Sequence, residues 1–204
     1  MRLQIVKDRS EWVAAAWTWV NENLAPGQRL FLPAGGTPQS LYHRWSQDPS
    51  PLLRSLTFLQ VDEILTGPKQ NYFRHFFERE MEPFLSQFEW IQNADRTADA
   101  AILGVGINGH VAFHEPHLPR DFRGGCVLLS PETLKYLELT DPTWGITYGV
   151  GTFKKTQKIL VLARGEAKQR VLRCAQKRKD LPVSWILDHP GVTLLTDFEM
   201  EEVG

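Results

Sequence analysis

Residues 99–116, DAAILGVGINGHVAFHEP, decide how the rest of this chain is read. Residues 100–103 are a short apolar run of the kind that forms a buried strand. Gly104, Gly106 and Gly109 then break the chain every two or three residues, so the strand ends in a glycine loop. Such a loop at the carboxyl end of a parallel strand lets backbone N–H groups and side chains approach a ligand closely, and open α/β sheets place their sites there. His110 and Glu115 follow at once, so ionisable groups are delivered to that edge.

Working outward, short apolar runs alternate with helical patterns from end to end. Residues 3–6, 30–33, 56–61, 158–163 and 192–195 read as strands, the last closing the sheet. Residues 11–24 read as a helix with Ser10 as N-cap and Trp12, Ala16, Trp19, Val20 and Asn23 on one face. Further helices are expected at residues 39–45, 70–83, 130–136 and 166–176, with Tyr72, Phe73, Phe76, Phe77 and Met81 at core spacing in the second of these. Ser130 and Pro131 suit the N-cap and first position of the third. Residues 49–51 and 116–125 read as loops, the second a flexible segment over the site, and residues 88–91 as a short strand or turn. This alternation predicts an α/β fold, a Rossmann-like, doubly wound, mostly parallel sheet with helices on both faces. A length of 204 residues, with no internal repeat or low-complexity linker, predicts one domain over residues 1–204.

Composition narrows the function classes. With 42% hydrophobic and 23% charged residues and a formal net charge of -1, the chain is ordinary for a soluble enzyme. That balance argues against nucleic acid and leaves room for a local basic pocket that takes a small anionic metabolite. Cys126 and Cys174 give neither a disulfide framework nor a CxxC pair, which fits a reducing cytoplasm. No apolar run approaches the ~20 residues of a membrane span, and the N-terminus lacks a secretory core, so neither membrane nor export is expected.

Two other stretches can carry chemistry. Ala34, Gly35, Gly36, Thr37 and Pro38 form a glycine-rich turn between a strand and a helix. Taken alone this is either a plain turn or a phosphate cradle, because unpaired N–H groups and the positive end of a helix dipole face an anion there. Asp62 and Glu63 follow the third strand. They read either as a solvated strand end or as a general base at the sheet edge.

LGVGINGHVAFHEP resembles the signature of the glucosamine-6-phosphate deaminase (isomerase) family, usually LGxGxDGHxAFNEP, through Gly104, Gly106, Gly109, His110, Ala112, Phe113, Glu115 and Pro116. The related 6-phosphogluconolactonases share the GxGxxGH part and then continue with small apolar residues. GITYGVGT at residues 145–152 and PVSWILDH at residues 182–189 resemble two more family segments, keeping Thr147, Gly149, Gly151, Thr152, Ser184 and His189; the first is expected to line the far wall of the site. The resemblance implies conversion of an amino-sugar 6-phosphate to a ketose phosphate and ammonia, with a sugar phosphate as the small-molecule partner, without a redox cofactor and without a metal. It implies that Gly35, Gly36, Thr37 and Lys168 hold the phosphate. It further implies that Asp62 moves the C2 proton, that His110 opens the pyranose ring and that Glu115 orients His110.

The chain departs from the family pattern at several positions. Asn108 stands at the usual aspartate beside the catalytic histidine, His114 at an asparagine and Leu187 at a glutamine, and the stretch around Leu134 and Lys135 lacks an arginine. A lactonase, using His110 as base, and a non-catalytic sugar-phosphate sensor are the rival readings. His110, His114, Glu115 and His117 lie close enough in sequence to suggest a metal hydrolase, but Pro116 interrupts any helix that would align them. The sequence leaves the oligomeric state open.

Overall fold

A computed structural model describes residues 1–200. Among them, seven strands make one parallel sheet: β1 (Arg2–Ile5), β2 (Arg29–Leu32), β3 (Thr57–Gln60), β5 (Phe88–Glu89), β6 (Ala100–Gly104), β9 (Lys158–Ala163) and β10 (Val192–Thr196). Their spatial order is β1-β10-β9-β6-β2-β3-β5, so β10 sits inside the sheet and β1, not the last strand, forms that edge. After β2 the chain winds through β3 to β5, then returns to place β6 on the other flank of β2 and winds outward through β9. The winding reverses between β2 and β6. A crevice opens at such a switch point beyond the carboxyl ends of the two strands.

The strands alternate their side chains between two cores, as a pleat of period two requires. Leu30, Leu32, Phe58, Ala100 and Ile102 pack with Trp12, Trp19, Tyr42 and Trp45 on one face. Phe31, Leu59, Ala101, Leu103 and Val161 pack with Leu172, Val183 and Ile186 on the other. The first face is covered by α1 (Arg9–Asn23), α2 (Gly36–Gln47) and α4 (Tyr72–Glu80), and the second by α7 (Glu166–Lys177) and α8 (Pro182–Leu187). The doubly wound α/β fold expected from the alternation is present, with helices on both faces.

Several boundaries differ from the sequence reading, each for a local reason. Asp8, not Ser10, caps α1, because its carboxylate accepts from the N–H groups of Ser10 and Glu11 at 2.8 and 3.0 Å. Helix α2 starts at Gly36, which puts Gly36 and Thr37 inside its first turn. Pro51 opens a short helix, α3 (Pro51–Ser55), rather than closing a loop, since the Ser50 hydroxyl accepts from Leu53 N–H and proline suits the first helical position. Helix α4 ends at Glu80 and hands over to a 3₁₀ turn, Glu82–Gln87, and Tyr72 at its start is exposed.

The main departure is a second sheet that the sequence does not announce. Strands β4 (Asp62–Ile64), β8 (Trp144–Tyr148) and β7 (Gly124–Leu128) form an antiparallel trio in the order β4-β8-β7. Val61 is the junction: its N–H donates to Leu32 O in the large sheet and its carbonyl accepts from Tyr148 N–H in the small one. Asp62 and Glu63 therefore begin a new strand rather than ending the old one. They are 7% and 5% exposed, which rules out a solvated strand end.

Candidate active site

The switch-point crevice is a solvent-open cleft with about 850 Å³ of space between and in front of its walls. Its floor and one side come from the loops after β2 and β6: Pro33 through Pro38, and Gly104 through Ile107 with His110. Phe73, Ala112, Phe113, Tyr136 and Leu137 form an apolar wall, and Asp62, Glu132, Thr133 and Lys168 supply polar groups. Ser130 caps α5 (Pro131–Tyr136), as its sequence predicts, and this helix carries Glu132, Thr133 and Tyr136 to the cavity. Gly35, Gly36, Thr37, Asp62, His110 and Lys168, which the sequence singled out for phosphate or proton chemistry, line this one space, and Glu63, Glu115 and Asn108 do not. Glu115 and Asn108 stand directly behind His110.

Glu115 is fully buried and held on both oxygens. Asn108 Nδ2 donates to Oε2 at 2.8 Å, while the hydroxyls of Ser130 and Thr133 donate to Oε1 at 2.9 and 2.5 Å. His110 Nδ1 lies 3.4 Å from the same Oε1. Burial by itself would raise the Glu115 pKa, but the hydrogen bond and charge of His110, with the bonds from Thr133 and Asn108, outweigh it and hold the group at about 2. Asn108 thus serves Glu115 with its amide and the backbone N–H of His110 with its Oδ1, at 3.1 Å, and does not touch the imidazole. Because Nδ1 faces Glu115, the other ring nitrogen, Nε2, is the one beside Gly106 in the cavity loop. Gly109, at φ 88°, makes the turn that brings His110 back over this loop.

Asp62 is the second carboxylate of the site, and its surroundings are the opposite of those of Glu115. Among the described residues nothing hydrogen-bonds its carboxylate, and burial first, then the neighbouring Glu63, push its pKa well above the usual carboxylate range. Glu63 points away from the cavity and accepts four hydrogen bonds, from Gln60 Nε2 and the N–H groups of Ile64, Phe73 and Arg74, at 2.7–3.0 Å. Phe73 and Arg74 belong to the first turn of α4, so Glu63 anchors that helix by its amino end. One residue of the pair faces the cavity and the other fixes a helix that walls it.

The residues expected to hold an anion, Gly35, Gly36, Thr37 and Lys168, all line this cavity. Gly35, at φ 117°, leads into α2 without a side-chain cap, so the first-turn amides are free of side-chain partners. Tyr42, one turn further on, holds the approach with a 2.8 Å bond from its hydroxyl to Pro33 O. Lys168, in the first turn of α7, reaches back to donate to Val105 O in the β6 loop. Burial lowers its pKa, because the cation is taken out of water.

Two expectations are corrected, and His114 finds an unforeseen place. The 145–152 stretch does not line the cavity; it buttresses it, with Thr147 paired to Asp62 across the small sheet and its hydroxyl accepting from Phe113 N–H at 3.1 Å. The 116–125 loop does not cover the site either; it packs on the start of α6 (Val150–Phe153), the short helix after β8, where Gly149 and Gly151 N–H groups donate to the carbonyls of Arg123 and Phe122. His114 faces the interior instead of His110: it is fully buried, its Nδ1 accepts from Val150 N–H at 3.0 Å, and its ring meets Phe122 and Trp185 edge-on. Burial lowers its pKa to about 4. Among the described residues no three His, Cys, Asp or Glu side chains are grouped as a metal site, and no helix is long and apolar enough to cross a membrane.

A family profile described as glucosamine-6-phosphate isomerases/6-phosphogluconolactonase matches residues 75–195, more than half of the chain. The chain belongs to this family. Curated glucosamine-6-phosphate deaminases extend the likeness beyond the profile. One from Enterococcus faecalis is 25% identical over 97% of this chain and 97% of its own, and one from Streptococcus pneumoniae serotype 4 is 27% identical over 98% of each. A monomeric glucosamine-6-phosphate deaminase of known structure shares the fold with a TM-score of 0.80, at 23% identity over 96% of this chain and 97% of that one. The 6-phosphogluconolactonase of Leishmania guyanensis shares it with a TM-score of 0.76, at 19% identity over 96% and 95%. The family is named for both chemistries, and the fold alone does not separate them.

Sequence reasoning missed the two hydroxyls on Glu115 and the anchoring role of Glu63. The only signal for the first is the run Ser130-Pro131-Glu132-Thr133, which reads fully as a helix cap. Nothing local signals the second, since the bonds of Glu63 span ten and eleven residues to the next helix.

Proposed function

We propose that this family member converts an amino-sugar 6-phosphate, glucosamine 6-phosphate in the first instance, to fructose 6-phosphate and ammonia, as a single-domain enzyme. The observation that carries the reading is Asp62: a buried carboxylate on the cavity, without hydrogen-bond partners among the described residues and with raised proton affinity. Abstraction of a proton from carbon next to a carbonyl needs such a base, and lactone hydrolysis does not. The names of the curated relatives point the same way.

The amides of Gly35, Gly36 and Thr37 and the Lys168 ammonium bind the phosphate in this reading, the helix dipole of α2 adding to the attraction. His110 Nε2 passes a proton to the ring oxygen as the pyranose opens, and Glu115 stabilises the imidazolium and orients it. Asp62 takes the proton from C2 and returns it to C1, converting the aldehyde end to an alcohol through an enol and leaving an imine at C2. Water adds to that imine and ammonia departs, so the balance is sugar amine plus water to ketose plus ammonia. The apolar wall of Phe73, Phe113 and Leu137 keeps bulk water from Asp62 and sustains its proton affinity.

The family's other chemistry, hydrolysis of a sugar-acid phosphate lactone, would use His110 as base and leave Asp62 without a task. A non-catalytic sensor would leave both without one. Ammonia release from glucosamine and galactosamine 6-phosphates, run beside hydrolysis of 6-phosphogluconolactone, decides among them. Ammonia from either sugar supports the proposal; lactone turnover without ammonia, or tight binding without any turnover, overturns it.

A further inference from the structure

The hydroxyls of α5 are built into the His110–Glu115 pair, and no motif assigns them. Thr133 is 2% exposed, and its Oγ1 lies 2.5 Å from Glu115 Oε1 and 3.5 Å from His110 Nδ1. Ser130 does two things at once: its Oγ accepts from Thr133 N–H at 3.2 Å, closing the first turn of α5, and donates to Glu115 Oε1 at 2.9 Å. Two hydroxyls from one helix turn therefore converge on the same carboxylate oxygen that faces the imidazole. A free carboxylate rotates about its last torsion, which is broad and nearly two-fold. With Asn108 on Oε2 and two hydroxyls on Oε1, that rotation is closed off.

We propose that Thr133 is a positioning residue, whose hydroxyl, together with that of Ser130, pins Glu115 Oε1 toward His110 Nδ1 and so keeps the proton on Nδ1 and the reactive Nε2 toward the cavity. The hydroxyl suits both neighbours. It gives its own proton to Glu115 and keeps a lone pair that can accept from Nδ1–H. The same bonds tie the helix that carries Tyr136 and Leu137 to the proton-transfer pair, so the cavity wall and the histidine are set by one contact. This inference rests on the proton-carrying role given to His110 above.

Other charged groups near the pair are His114 and His117 on its own loop, Glu132 beside Thr133 on α5, and Asp62 and Lys168 across the cavity. His114 acts on Glu115 only through charge, and among the described residues none of the five is hydrogen-bonded to Glu115. The hydroxyl contacts are thus separable from them by mutation.

The test compares Thr133→Val, which keeps the shape and removes the hydroxyl, with Thr133→Ser, which keeps the hydroxyl. Thr133→Val is expected to lower kcat for ammonia release by about ten- to a hundredfold with KM within about twofold, and Thr133→Ser to stay within about threefold of wild type. In the ligand-free protein, the carboxyl carbon resonance of Glu115 should titrate at higher pH in Thr133→Val than the value of about 2 it has in the intact network, and stay put in Thr133→Ser. Equal damage from both substitutions, or an unchanged kcat and Glu115 titration in Thr133→Val, overturns the proposal. Should Thr133→Val fail to fold, Ser130→Gly removes one donor while glycine still tolerates the N-cap position, and an unmoved Glu115 titration there overturns it equally. The titration uses no substrate. Loss of ammonia release in the wild type with the titration shift intact would refute the deaminase reading and leave the hydroxyl clamp standing.

Discussion

The Cβ that any other amino acid would carry at position 106 falls 2.1 Å from Nε2 of His110. Gly106 is therefore the seat on which the imidazole rests, and it lies in the loop that ends β6. The obstructing atom belongs to a side-chain tip and not to backbone, so Gly106→Ala should fold, with the ring displaced. Turnover is expected to fall at least tenfold, since reacting groups moved by about 1 Å lose that much or more. Affinity for inorganic phosphate, measured by calorimetry, should hold within about twofold, because Lys168 and the α2 amides are untouched. Full activity in the alanine variant would show that Nε2 does not need this position.

Asp62→Asn removes the carbon base without changing the size of the side chain. Turnover should drop by about 10²- to 10⁴-fold, and binding of a non-reacting sugar phosphate should be nearly intact. A parallel loss of both would mean that Asp62 holds the ligand instead of deprotonating it.

At Asn108 a carboxylate would face Glu115 Oε2 across 2.8 Å with no proton between them. Asn108→Asp should therefore raise the Glu115 pKa above about 2, as two carboxyl groups at that distance share a proton. Glu115 is ionised with a depressed pKa in the fold, so the stability it contributes is present above the carboxylate's ordinary 4.5 and disappears as pH falls toward 2. In Asn108→Asp that loss should begin at higher pH. Urea unfolding of both proteins between pH 3 and pH 6 measures it, and superimposable curves would contradict the bond as described.

His114 adds a second acid sensitivity. Its pKa is about 4 in the fold against 6.5 for an ordinary histidine, so the unfolded chain binds the extra proton first as pH falls. Stability from this group is complete above about pH 6.5 and declines toward pH 4, by up to about 3 kcal/mol for a shift of this size. His114→Asn should flatten the stability profile over that interval, whatever it does to stability at neutral pH. An unchanged slope would place the acid sensitivity elsewhere.

Much of this protein is legible in its sequence. Local pattern predicts the strands at residues 100–103 and 158–163, the cap at Ser130 and the glycine loop, because these depend on neighbours within a few positions. Alternation of strands and helices predicts the doubly wound sheet, whereas its strand order, with β10 inside and the crevice between β2 and β6, came only with the tertiary structure. Asp62, His110, Glu115 and Lys168 stand out in the motifs, and the fold brings Asp62, His110 and Lys168 to one crevice with Glu115 behind His110.

Only the tertiary structure decided what each of these residues faces. Asp62 and Glu63 are adjacent and chemically alike, yet one meets an apolar cavity and the other four donors. Val61 settles this by passing the chain from one sheet to another, through bonds to Leu32 and Tyr148 that no local pattern encodes. His110 and His114 lie four residues apart in one motif, and a tight turn sends the first to the cavity and the second to the core. Sequence fixes which groups are available and where the backbone must bend. The charge, tautomer and proton affinity of each group depend on burial and on hydrogen-bond partners from other elements of the fold, and those exist only once the two sheets are folded together.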